Sequence, residues 1–303
     1  MKEQKARESL LGGSEGVDRR SFVKGVGFAG LGAAGATLLA GRLGLVEGLP
    51  GSQALGLTSP EALAATITDT DILNFALNLE YLEAEFYTVA TTGTTIAQAG
   101  IGVDGTGNSG PTTGGQKVRL QPNDGDKDRD DEKTRKLSEI AEQVTRDEQT
   151  HVTLLRGALG SAAIAKPAIN LDALGIGFRN FRQFLQLARA FEDVGVSAYG
   201  GAAPLITSKE ILATAARIAL TEALHSGTFR LLVAVNNVQT TPVDGLDILP
   251  PPSGKQYFEV DQQALAIVRT PSQVLAIVYG NSAAGTTGGG FFPNGVNGTI
   301  TTV

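Results

Sequence analysis

Four stretches of the chain repeat their apolar side chains every three to four residues, the spacing that lines one face of an α-helix. They run from about Asp71 to Ala90, Glu132 to Leu159, Asn180 to Tyr199 and Lys209 to Val235. Thr68, Asp69 and Thr70 stand before the first as capping candidates and Ser208 before the fourth, while Gly200-Gly201 reads as the stop of the third. Residues 91–131 are rich in Gly, Thr and Asp, carry no period, and read as a crossover loop or lid. Beyond the fourth stretch come a proline-rich connection from Leu246 to Tyr257 and a short helix from Thr270-Pro271 to about Tyr279. A glycine-rich tail follows from Gly280, with turn signals at Asn294-Gly295 and Asn297-Gly298. The pattern predicts an all-α fold: a four-helix bundle over 65–240, a long crossover or insertion, and a C-terminal extension over 241–303.

Polar residues interrupt these apolar stripes at matching places. The second helix carries Leu137, Ala141, Val144, Glu148, His151 and Leu155 on one face; the fourth carries Ile211, Ala215, Ile218, Glu222, His225 and Phe229. The chain has two histidines, and each follows a glutamate by three positions on a face that is otherwise apolar, so both pairs point to the core. The third helix carries Leu185, Ala188, Glu192 and Tyr199; the first carries Leu73, Ala76, Glu80 and Tyr87, at the same spacings. Each half of the chain is thus a helix with an inward Glu and a Tyr two turns on, followed by a helix with Glu-x-x-His. This is an internal duplication in register. Glu83 breaks it, since Gly195 holds the corresponding place in the third helix. The repeat favours Glu80 as the inward carboxylate, with Glu83 either an additional one or the one used instead. Glu85 points elsewhere and reads as solvated.

Four buried carboxylates facing one another are costly unless cations or protons neutralise them, and two divalent ions cancel four negative charges. Carboxylate oxygen with imidazole nitrogen suits iron, manganese or zinc, and the chain has no cysteine to favour copper(I). A lone Glu-x-x-His is usually a surface pair. Two of them on apolar stripes leave as the bland alternative a buried Glu–His network without metal. Tyr87 and Tyr199 are either core-edge tyrosines or hydrogen-bond donors to the ligand carboxylates, with a redox role open to them.

Composition narrows the classes. Of 303 residues 42% are apolar, enough for one proper core. The net charge is −6 with no long basic block outside the N-terminus, which disfavours nucleic-acid binding. Arg19-Arg20-Ser21-Phe22-Val23-Lys24, followed by the weakly apolar run Gly25 to Gly41 and Arg42, resembles a twin-arginine export signal. The run is short of the roughly 20 residues of a spanning helix. Residues 1–64 therefore read as signal and linker, cleaved after Ala54 or Ala64, with a membrane involved only while the signal is uncleaved and with the periplasm or cell exterior as destination. Asp124, Asp126, Asp128 and Asp130 alternate before the second helix. They lack the Gly and Glu of a calcium loop and read as a solvated acidic run suited to a helix start.

Leu77-Asn78-Leu79-Glu80 with Tyr87, and the two Glu-x-x-His pairs, resemble the ferritin-like superfamily. The phrases from Leu79 to Tyr87 and from Phe191 to Tyr199, with Gly288-Gly289-Gly290-Phe291-Phe292-Pro293, are similar to its desiccation-related branch. The resemblance spans roughly Thr66 to Val303. It implies two divalent ions, iron or manganese, held by Glu80, Glu148, His151, Glu192, Glu222 and His225, with Glu83 as a further carboxylate. It implies oxygen or peroxide as the small-molecule substrate, in metal oxidation or in defence against oxidant or desiccation stress, and it is compatible with a homo-oligomer. Two other roles stay open: a stress-protective bundle merely stabilised by metal, and a manganese catalase-like enzyme. The insertion before the second helix departs from compact ferritins and speaks against a 24-subunit cage.

Overall fold

The computed structural model describes residues 67–120 and 131–303. The twin-arginine stretch, both cleavage candidates and the acidic run from Asp124 to Asp130 lie outside the described residues. Four long helices, α1 (Asp69–Thr92), α2 (Asp131–Leu159), α3 (Phe181–Ala202) and α4 (Lys209–Val235), are followed by the short α5 (Pro271–Tyr279). Two two-residue strands, β1 (Thr112–Thr113) and β2 (Ile169–Asn170), pair in parallel.

Helices α1, α3, α4 and α5 each begin where a side chain can accept a free N–H. Thr68 and Asp71 form a capping box on α1, Asn180 accepts from Gln183 on α3, Ser208 from Ile211 on α4, and Thr270 with Gln273 caps α5. Asp69, a capping candidate for α1, reaches instead to α4: its carboxylate accepts the backbone N–H of Thr207 and of Ser208, both at 2.8 Å. The expected stop of α3 at Gly200-Gly201 is not where the helix ends. It continues to Ala202 and tightens into a 3₁₀ turn, Ala203–Leu205. The glycine serves a close approach, since a Cβ on Gly201 would overlap the carbonyl of Arg269, whose own N–H donates to Ser197 O at 3.0 Å.

Cross-links set the topology. Gln149 with Thr88 and Arg156 with Tyr81 make α1 and α2 antiparallel; Asp193 with Ser226 and Arg182 with Asn236 do the same for α3 and α4. Tyr87 meets Glu192 while Tyr199 meets Glu80, so α1 and α3 are antiparallel too. Helices α2 and α3 therefore run parallel, and the 160–180 link between them must travel the length of the bundle. This link is the crossover. The insertion after α1 joins antiparallel neighbours: it runs down to Thr106, which bonds to Ala163, and returns beside the crossover through β1 and β2.

The insertion also buries a carboxylate. Glu85 is fully buried, where solvation was expected. It accepts the backbone N–H of Ile96 (3.1 Å) and the hydroxyl of Thr112 (2.7 Å), and Lys166 Nζ lies 3.5 Å away. Helical periodicity places Glu85 off the bundle axis, but the insertion covers that face and supplies its partners.

The tail is woven in. Asn297 is buried, and its amide donates to Asn108 O and Ala165 O while its Oδ1 accepts from Asn108 N–H. Its backbone exchanges two hydrogen bonds with the side chain of Asn78 on α1. The turn expected at Asn297-Gly298 is present, with Gly298 at φ 97°, and it ties insertion, crossover and α1 together. Phe86 lies at the centre of the core, its ring within 5.5 Å, centroid to centroid, of Tyr87, Phe178, Phe184 and Phe191.

Candidate metal centre

Glu80 on α1, Glu148 and His151 on α2, Glu192 on α3 and Glu222 and His225 on α4 converge between the four helices. All four carboxylates are at most 1% exposed and the imidazoles 7%. They form two clusters. His151 Nδ1 lies 3.3 Å from Glu80 Oε2, 3.1 Å from Glu148 Oε2 and 3.2 Å from Glu222 Oε1. His225 Nδ1 lies 3.1 Å from Glu148 Oε1 and 3.2 Å from Glu192 Oε2. In each cluster the ligand atoms lie within 4.8 Å of one another, and Glu148 and Glu222 belong to both. Either of these two can span two positions, whereas Glu80 and Glu192 each serve one.

The atoms facing inward have no protein partner to satisfy them. Glu80 Oε2, Glu148 Oε1, Glu192 Oε2, both oxygens of Glu222 and His225 Nδ1 are buried without a hydrogen bond. The other side of His225 accounts for its orphan: Nε2–H donates to Asp147 Oδ2 at 3.2 Å, leaving Nδ1 as a lone pair aimed at two carboxylates. Lone pairs facing lone pairs in a dry interior call for a cation or for protons. The donor set is oxygen with imidazole nitrogen, and it fits iron, manganese or zinc.

Without a cation the site takes up protons. Burial, reinforced by the charge of Glu192, pushes Glu222 up to about 8. Burial and Glu222 push Glu148 to about 7, and burial pushes Glu192 to about 6 against the pull of the nearby His225 imidazole. Burial works against charge on the imidazoles, but the carboxylates outweigh it: His151 is raised, and His225 reaches about 11. For Glu80 burial is overcome by the charge of His151, so its carboxyl lies below the usual range.

Glu83 belongs to neither cluster. Gly195 shows where its carboxylate lies, because a Cβ there would come 2.6 Å from Glu222 Oε2 and 3.1 Å from Glu83 Oε1. Glu83 thus occupies the room that the missing Cβ leaves, beside Glu222. Burial and four neighbouring carboxylates hold its pKa well above normal. Both tyrosines bond to the clusters, crosswise between the two halves: Tyr87 donates to Glu192 Oε1 and Tyr199 to Glu80 Oε1.

Two acidic residues escaped the sequence reading. Asp147 could have been noticed as a second carboxylate preceding Glu-x-x-His. Asp193, next to Glu192, accepts from Ser226 (2.6 Å) and Arg230 (2.7 Å) on α4 and lies 3.3 Å from Arg189, tying α3 to α4 behind the clusters. It also groups with Asp247 and Glu259. Arg189, Arg230 and Arg269 run through that group and neutralise it, so it is an ionic network.

The fold and site define a class: a helical bundle with two carboxylate–imidazole clusters that share two glutamates, as in a di-metal carboxylate protein. Residues 68–235 match the family model of the ferritin-like domain, and the chain belongs to that family. No curated protein matches the chain.

Proposed function

We propose that the chain is an exported ferritin-like protein whose clusters hold two divalent ions, iron or manganese, that react with dioxygen or peroxide. Oxidant removal or metal oxidation under stress, desiccation included, is the role. The observation that carries the reading is the set of buried, unpartnered carboxylate oxygens opposing His225 Nδ1. Glu80 and His151 would hold one ion, Glu192 and His225 the other, with Glu148 and Glu222 between them. When bound, the pair supplies the one-electron chemistry that side chains lack. The protein's part is to fix the carboxylates through Tyr87, Tyr199 and Asp147, and to keep bulk water away. A small apolar cavity of about 20 Å³ ends on Glu80, Glu83 and Tyr199, its walls including Phe75, Ala76 and Ala198. Its size and lining suit a molecule as small as dioxygen. Export rests on the twin-arginine pattern alone, and the desiccation-related branch on the phrases around Glu80, Glu192 and Phe291.

Metal analysis of protein purified without added metal is the first test: fewer than one ion per two chains overturns the di-metal reading. Stopped-flow mixing of the ferrous form with oxygen or peroxide is the second. No absorbance change would leave a metal-stabilised scaffold, while rapid oxygen release from peroxide by the manganese form would assign a catalase.

A further inference from the structure

The two clusters have the same donor set. Each brings together three carboxylates and one imidazole, with Glu148 and Glu222 common to both. On these ligands alone the two positions would hold a divalent ion equally well. What stands behind the ligands differs in two places.

The first is the outer side of each imidazole. His225 Nε2–H donates to Asp147 Oδ2 at 3.2 Å. A carboxylate there fixes the ring and makes the inner nitrogen a stronger donor. Asp147 precedes Glu148 on α2 and serves the histidine of the other half. The duplication gives Thr221, which precedes Glu222 on α4, the corresponding place for His151. Thr221 carries no charge, and its hydroxyl donates back along its own helix to Arg217 O at 3.2 Å. The contacts of His151 run through Nδ1 to Glu80, Glu148 and Glu222. Its Nε2 has no partner among the described residues.

The second is the unshared carboxylate of each cluster. Glu192 accepts from Tyr87, which is fully buried and whose ring centroid lies 4.9, 6.0 and 5.8 Å from those of Phe86, Phe184 and Phe229. Glu80 accepts from Tyr199, which is only partly buried. Glu80 and Tyr199 border the small apolar cavity, and Glu192, Tyr87 and His225 do not. Glu80 therefore has space beside it into which its carboxylate can swing away from an ion.

We propose that Asp147 makes the Glu192–His225 position the tightly held one of the pair, and that the Glu80–His151 position, without such a carboxylate and beside the cavity, is the one that exchanges its ion. Asp147 is a positioning residue that acts through the His225 ring. The proposal rests on the di-metal reading and is separable from it: two ions held equally would satisfy that reading and contradict this one. A merely structural tie between α2 and α4 would contribute stability and leave the two affinities alike.

The test isolates each position in the full chain, stripped of metal and titrated with manganese(II) against a competing chelator. Glu80→Ala keeps all four ligands of the His225 position, and Glu192→Ala keeps all four of the His151 position. Each is read on its first ion, so repulsion between two ions does not enter. Glu80→Ala should bind that ion about 10–100-fold more tightly than Glu192→Ala, and should release it more slowly to excess chelator. Adding Asp147→Ala should remove that advantage from Glu80→Ala and leave Glu192→Ala unchanged. Asp147→Asn, which keeps an acceptor and loses the charge, should fall between. With the ligand set intact, Asp147→Ala alone should weaken the tighter of the two ions and spare the other. Equal first-ion affinities in Glu80→Ala and Glu192→Ala overturn the proposal, and so does an Asp147→Ala effect of the same size in both. A wild type that takes up no ion overturns the di-metal reading and this proposal with it.

Discussion

Gly195 of α3 and Glu83 of α1 hold equivalent places in the two halves of the chain, and the glycine makes room for the carboxylate. A Cβ at 195 would stand 2.6 Å from Glu222 Oε2 and 3.1 Å from Glu83 Oε1. The duplicated design is symmetric in its ligands and tyrosines and asymmetric at this pair. Gly195→Ala should therefore keep the helix, which gains up to about 1 kcal/mol of propensity, yet displace Glu222. We expect about tenfold or greater loss of metal affinity, the scale seen when groups that orient ligands are disturbed. Titration calorimetry with circular dichroism checks both halves of this statement; unchanged affinity would mean that Glu222 has room to move.

Shared and unshared carboxylates should separate by stoichiometry. Glu192 serves one cluster, so Glu192→Ala should retain the ion at Glu80 and His151. Glu148 and Glu222 serve both, so Glu148→Ala with Glu222→Ala should lose both ions and remain helical. Metal content per chain reads the difference directly. Equal losses in the two variants would contradict the two-cluster geometry.

Without metal, stability should fall as pH rises. Glu192, Glu148 and Glu222 titrate at about 6, 7 and 8 in the folded chain against an ordinary 4.5. A raised pKa contributes stability that is complete below the ordinary value and is lost as pH passes through the folded one. The raised imidazoles act with the same sign above their ordinary 6.5. Calorimetry of the metal-free protein should give a Tm that declines from pH 5 to pH 8. Bound ions replace these protons, so the loaded protein should not decline in that window, and its metal affinity should increase with pH.

Asn297→Ala should destabilise the fold far from the clusters. It strands the N–H and C=O of Asn108 and the C=O of Ala165, all bonded to this side chain. Asn108 is exposed and can turn to water, but Ala165 is buried, and leaving a buried carbonyl unsatisfied costs about 1–3 kcal/mol. Urea unfolding of the loaded protein should show that loss with metal stoichiometry unchanged.

Much of this molecule was determined by local rules that a single sequence displays. A helical period of 3.6 decides which residues share a face, so four amphipathic stripes were enough to place Glu80, Glu148, His151, Glu192, Glu222 and His225 on inward faces. The in-register repeat pairs the two halves within the sequence itself. Tertiary structure decided what depends on a partner distant in sequence. Glu85 and Glu80 are both glutamates of α1, and only the insertion that covers one face buries Glu85 on Ile96 and Thr112. Gly200-Gly201 carries the same local stop signal as any glycine pair, yet the backbone of Arg269 uses it for close approach. Asp147 meets His225 only because α2 and α4 lie side by side. Periodicity specifies the direction in which a side chain points; hydrogen bonding and burial depend on what arrives there, and that is settled when the chain packs.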